Sequence, residues 1–183
     1  MYRVLYAVLL QYSVIPLFAA QQIPNFSLMH SYISELGDSN KSPRYKLMNI
    51  SFAVNALIIA LIGILYLKER PVTMVRNHHT LILSSLLIGS AIGSMMVALY
   101  PENTNSRLHV LGAGLSFVLG NLSLFSLATS SLLNPVQQSI ALLGGIVGSI
   151  SLPLFLFTSL PKGLLERLTS FPESLVLISL AFT

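Results

Sequence analysis

The chain has 183 residues, 54% of them hydrophobic and only 9% charged, and its ten basic and six acidic residues give a net charge of +4. Soluble proteins carry about 25% charged residues, so this composition and the mean hydropathy of +0.76 exclude an ordinary soluble domain and point to an all-α integral membrane protein. The basic residues form no run beside aromatics, which excludes nucleic acid as a partner, and the absence of cysteine excludes disulfides, iron–sulfur clusters and thiolate metal sites.

Apolar segments at about residues 4–20, 46–67, 81–100, 109–133, 135–160 and 172–183 predict one bundle of about six transmembrane helices, the last short or truncated. Arg3 precedes the first run, which ends at Ala20. It resembles a signal peptide, but Phe18 stands where cleavage wants a small residue, so it is read as a retained helix. Pro16 would kink it, and Gln11 and Tyr12 need partners inside the bundle. The longest loop, Gln21 to Lys46, contains Ile33 and Leu36 three apart. That spacing predicts a short interfacial helix ended by Gly37. Ser42-Pro43 then opens the second helix, which carries Asn49 and Asn55. Lys68 to Thr80 reads as a basic loop with His78 and His79 solvated.

The third helix has Gly89 and Gly93 at the spacing that lets membrane helices approach closely. Tyr100-Pro101-Glu102-Asn103 opens a second polar loop, and His109 stands at the mouth of the fourth helix. No charged residue follows Arg107 until Lys162, room for two crossings of about twenty residues each. Asn134-Pro135-Val136-Gln137 is a compact helix start, with a capping residue, proline at the first position and glutamine three on. Pro161 to Ser170 is expected as a third polar loop, and Ser170-Phe171-Pro172-Glu173 as a capping box opening the last helix. From Pro172 to Thr183 that helix would be roughly 18 Å long, against a hydrocarbon core of about 30 Å. Either the natural chain continues past Thr183, the favoured reading, or this is a half-helix packed on the others.

Because helices alternate direction, the loops after the first, third and fifth share one face. They hold His30, Ser34, Glu35, Asp38, Glu102, His109, Glu166 and Arg167, and five of the six acidic residues gather on this face, Glu69 being the exception. This polar face is the candidate site. Three segments along it resemble a bacterial and archaeal six-pass membrane family, domain of unknown function 998. They are Pro24-Asn25-Phe26-Ser27 with Ile33-Ser34-Glu35-Leu36-Gly37; Tyr100-Pro101-Glu102-Asn103 with His109-Val110-Leu111-Gly112-Ala113 and Gly120-Asn121; and Gly163-Leu164-Leu165-Glu166-Arg167. The resemblance implies a fold and the same polar face, and no activity.

His109, Glu102 and Glu35 are the candidate catalytic residues. An imidazole beside a carboxylate suits general base work or proton transfer, although a histidine at a helix mouth more often anchors loop backbone. His30, His109 and Glu102 are the weak metal candidates, since no helical histidine pair supports a zinc site. Ser34, Glu35, Asp38, Glu166 and Arg167 read as a structural polar face, in which Glu166-Arg167 pairs with Glu35 or Asp38 and latches the loops together. The alternative for Arg167 is a lipid phosphate or an anionic substrate. No cofactor is implied.

The favoured function is a non-catalytic accessory or structural subunit, multi-pass in the cell membrane, whose partners are the lipid bilayer and possible protein subunits. The alternative is a membrane-interface hydrolase or lipid-modifying enzyme working on the polar face. A small-solute or proton carrier ranks lower, because no ionisable group is expected in a helix centre.

Overall fold

The computed structural model describes residues 5, 8–68, 74–130 and 133–179, apart from the side chains of 74–77. Within these the backbone forms six α-helices, α1 Leu10–Ala20, α2 Tyr45–Lys68, α3 Met74–Leu99, α4 Ser106–Ala128, α5 Pro135–Phe157 and α6 Lys162–Ser179, plus one turn of 3-10 helix at Ser34–Gly37 and no strand. Four stretches, Tyr45–Lys68, His78–Leu99, Ser106–Ala128 and Pro135–Phe157, are long and apolar enough to cross a membrane. Large apolar side chains on their outer faces, such as Leu57, Val110, Leu143 and Ile150, are exposed. A belt of that kind is stable against lipid and not against water. The chain is therefore an all-helical membrane protein.

Local chemistry sets several ends. The Asn105 side chain accepts from the Leu108 amide at 3.2 Å and starts α4. The reciprocal bonds between Asn134 and Gln137, 3.0 and 3.1 Å, complete the capping box of α5. Neighbours α3 and α4 meet backbone to backbone. A Cβ on Gly93 would lie 2.5 Å from the Gly112 carbonyl, and one on Gly112 would lie 2.6 Å from the Met96 Cβ, so both positions need glycine. The buried side chains form two groups. Ile59, Ile62, Leu87, Leu124, Leu127 and Leu177 fill the centre, and Tyr12, Leu36, Met48, Phe52 and Val97 fill the end nearer the polar face. Gln11 and Tyr12 of α1 are both turned into the bundle. Gln11 exchanges hydrogen bonds with Ser51, and the Tyr12 ring packs against Phe52 and Phe171.

The helix bounds differ from expectation in informative places. Helix α3 begins at Met74, so His78 and His79 are helical and not in a solvated loop. His79 Nε2 lies 2.9 Å from the Ser126 carbonyl in the last turn of α4, which also accepts from Thr129. Helix α4 ends at Ala128 and α5 at Phe157, where Thr158 turns extended. The largest correction concerns α6, which begins at Lys162, ten residues before the expected start at Pro172. The proline that marks this helix start is Pro161, whose carbonyl accepts from the Leu165 amide. Pro172 lies inside the helix, against Gly144 of α5, whose added Cβ would be 3.2 Å from it. The start of the first segment at residue 4, Arg3, Glu69, Arg70 and residues 180–183 lie outside the described residues.

Candidate functional site at the polar face

The first turns of α6 clamp the long first loop. Arg167 Nη1 donates to the carbonyls of Leu28 (2.9 Å), Ser31 (2.8 Å) and Gly163 (2.8 Å). Glu166 Oε2 accepts from the Ile33 amide, and the Leu164 amide donates to Met29 at 2.9 Å. The tie between first and third polar segments thus runs through backbone groups, and the expected pairing with Glu35 or Asp38 is absent from these bonds. Glu35 accepts instead from the Tyr32 amide and from Lys41 Nζ at 2.8 Å, and Asp38 accepts from the Asn40 amide at 2.7 Å. These first-loop carbonyls and amides sit in turns and bends, outside any regular helix or sheet ladder, so the adjacent guanidinium and carboxylate satisfy them. Asn103 donates to Ser39 at 2.7 Å and ties the second polar loop to the first.

This clamp holds Tyr32 and Ser34 over a cleft of about 420 Å³ between α4 and α5. The size lies within the range of small-molecule sites, about 300–1,000 Å³. The polar end is made by Tyr32, Ser34, Glu102, His109 and Glu166, and the apolar walls by Val110, Phe117, Val118, Leu152, Phe155 and Leu156. Gly114 also lines it, and a Cβ there would meet nothing within 4 Å. The lining includes two carboxyl side chains and no lysine or arginine. An occupant's head would therefore be welcomed as a hydrogen-bond donor or cation, not as a bare anion.

His109 is buried, and its Nδ1 lies 3.1 Å from the Tyr100 carbonyl. A carbonyl only accepts, so Nδ1 carries a hydrogen, and in the neutral ring Nε2 keeps its lone pair. A second, smaller cavity of about 30 Å³ lies behind the cleft, sharing Ser34, His109, Ala113, Phe117 and Glu166 as walls. It has room for one or two waters by volume.

Of the residues singled out in the sequence, the structure brings His109, Glu102, Ser34 and Glu166 to this cleft. Glu35 and Asp38 cap turns of the first loop, and Arg167 serves the clamp. His30 is exposed, with Nδ1 3.2 Å from Ser27 Oγ. Among the described residues no three histidine, aspartate or glutamate side chains gather as a metal site.

The reading of helix centres free of ionisable groups is overturned by Glu173. This residue is buried, eleven residues and roughly 16 Å beyond the start of α6. Its carboxyl lies between two membrane spans, accepting from Ser90 of α3 at 2.8 Å and near Ser123 of α4 at 3.5 Å. Taken as the first residue group of a terminal helix, Glu173 looked interfacial. The stripe Glu166, Thr169, Ser170, Glu173 and Ser174, at helical spacing, was the signal that one polar face of a longer helix turns inward.

Compared with models of known protein families, the chain matches over residues 5–183 the model described as Protein of unknown function (DUF998). No curated protein and no solved structure matches it.

Proposed function

From the premise that the chain belongs to the DUF998 family of proteins of unknown function, which lends it no activity, we propose that it is a membrane protein that binds a lipid in the cleft between α4 and α5. One observation carries this reading: a single cleft joins a polar end at Glu102, His109 and Glu166 to an apolar trough running along two membrane helices. That pairing matches an amphipathic molecule lying with its head at the interface and its tail in the bilayer. The carboxyl groups favour an amine or hydroxyl head.

A second reading is supported by His109. With Nδ1 held by Tyr100, Nε2 keeps the lone pair that general base work on a bound head needs, which would make the protein a lipid-modifying enzyme. The accessory-subunit reading is the competitor, in which the same cleft is covered by a partner protein. Native mass spectrometry of the protein, gently extracted from its own membrane, separates them. A retained lipid is expected, and Gly114→Phe should remove it while helical content is unchanged. Equal lipid on both proteins, or a stoichiometric protein partner in place of lipid, would refute lipid binding in the cleft. Turnover of the retained lipid, lost in His109→Ala, would establish the enzyme.

A further inference from the structure

We propose that Glu173 is an internal proton-binding site of the bundle, held by the hydroxyls of Ser90 and Ser123 in the space left at Gly120. The inference is independent of what occupies the cleft.

The site is built for a carboxyl group. A Cβ on Gly120 would lie 2.7 Å from Glu173 Oε2, so the missing side chain at 120 is the space the carboxyl uses. Ser90 Oγ lies 2.8 Å from Oε2 on one side and 3.4 Å from the Ser116 carbonyl on the other. Ser123 Oγ donates to the Gly120 carbonyl at 2.7 Å, which leaves Ser90 as the closer hydroxyl partner. Both protonation states are then satisfied by one hydroxyl rotation. With the carboxylate, the Ser90 hydrogen points to Glu173. With the carboxylic acid, the Glu173 hydrogen points to Ser90 and the Ser90 hydrogen points to Ser116. Each state has its bonds, as a group that gains and loses a proton inside a bundle requires.

A small cavity lies near this site. Ser116 Oγ lies 2.8 Å from Ser94 Oγ, and both serines line the 30 Å³ cavity together with His109, Glu166 and Tyr12. That cavity shares walls with the outer cleft. Water-sized space therefore comes within one residue, Ser116, of the hydroxyl that holds the carboxyl.

The groups facing Glu173 offer it no competing charge. Helices α3 and α4 present Ser90, Ser123 and Gly120. Tyr12 is the titratable group of α1 within electrostatic reach. The described part of α2 carries its titratable residues, Tyr45, Lys46, Tyr66 and Lys68, near its two ends, and α5 has none. On α6 itself Glu166 and Arg167 stand about two turns away, held by the first loop. An ionisable residue between membrane spans with only hydroxyl partners is a functional group by default.

The test is labelling of the membrane-embedded protein with dicyclohexylcarbodiimide, which reacts with protonated carboxyl groups in apolar surroundings. Mass mapping should place the label on Glu173, and the rate should fall at least about tenfold from about pH 6 to about pH 9 as the proton leaves. Glu173→Gln should abolish the label. Infrared difference spectra of the wild type between the same two pH values supply a readout that needs no variant of Glu173. The protonated-carboxyl band should appear at the lower pH, and Ser90→Ala should shift it. A label on Glu166 alone, a rate unchanged with pH, or protection by sodium ions at constant pH would overturn the proposal; the last would reassign the site to a metal cation.

Discussion

Replacing Arg167 by methionine should free the first polar loop from α6. The guanidinium Nη1 has two hydrogens and three carbonyl neighbours. Gly163 lies on its own helix, so Leu28 and Ser31 are the two bonds that cross to the loop. Bonds to a charged donor contribute about 1.5–3 kcal/mol each. Arg167 is half-buried, which argues for the lower value, roughly 3 kcal/mol for the pair. Methionine keeps an apolar stem beside Phe26, over which the guanidinium now sits at 5.7 Å, so the loss is confined to the polar bonds. At about 1.4 kcal/mol per factor of ten, the open form of the loop should become about a hundredfold more populated. The chain has no cysteine, so Ile33→Cys supplies a sole thiol at a position only 2% exposed. Its modification by a membrane-impermeant maleimide should accelerate by about that factor in Arg167→Met. A change smaller than about threefold would show that the clamp does not hold the loop.

Three further outcomes follow from particular contacts. Gly120→Ala puts a carbon 2.7 Å from the Glu173 carboxyl; displacing that group from Ser90 should cost about 1–3 kcal/mol and lower the thermal midpoint, and adding Glu173→Ala should restore part of it. Asn134→Ala removes the capping box of α5 and should cost about 1 kcal/mol by thermal unfolding. Lys41 is held above the ordinary lysine value, chiefly by its hydrogen bond to Glu35. Its contribution is complete below the unfolded-state lysine value of about 10.4 and disappears as pH rises through the folded value. The pair is largely solvated, so Lys41→Met should change stability by less than about 1 kcal/mol, a difference that shrinks in strong alkali.

The long spans were legible because apolar runs and caps act locally: Asn134-Pro135 specifies the start of α5 without reference to its neighbours. The family resemblance rested on segments around the polar face, where His109, Glu102, Ser34 and Glu166 meet, and on Gly120-Asn121, which lies in the bundle interior beside Glu173. Helix α6 was hidden because Ser170-Phe171-Pro172-Glu173 has a local pattern good enough to start a helix, and only packing against Gly144 shows why Pro172 sits inside one. The same error moved Glu173 from the bundle interior to its edge. The roles of Glu35 and Arg167 were hidden for a different reason. Their bonds go to backbone groups of Tyr32, Leu28 and Ser31, and side-chain identity alone does not reveal which main-chain groups a loop leaves unsatisfied.

The central claim is that the α4–α5 cleft holds a lipid tail, and a photoreactive lipid tests it directly. A lipid with an amine head and a diazirine in its tail would be mixed into the native membrane, illuminated, and its adducts mapped by mass spectrometry. Adducts concentrated on Phe117, Val118, Leu152 and Leu156, and lost in Gly114→Phe, are the predicted result. Adducts spread evenly over Leu57, Leu143 and the other outward faces, and unchanged by Gly114→Phe, would contradict it.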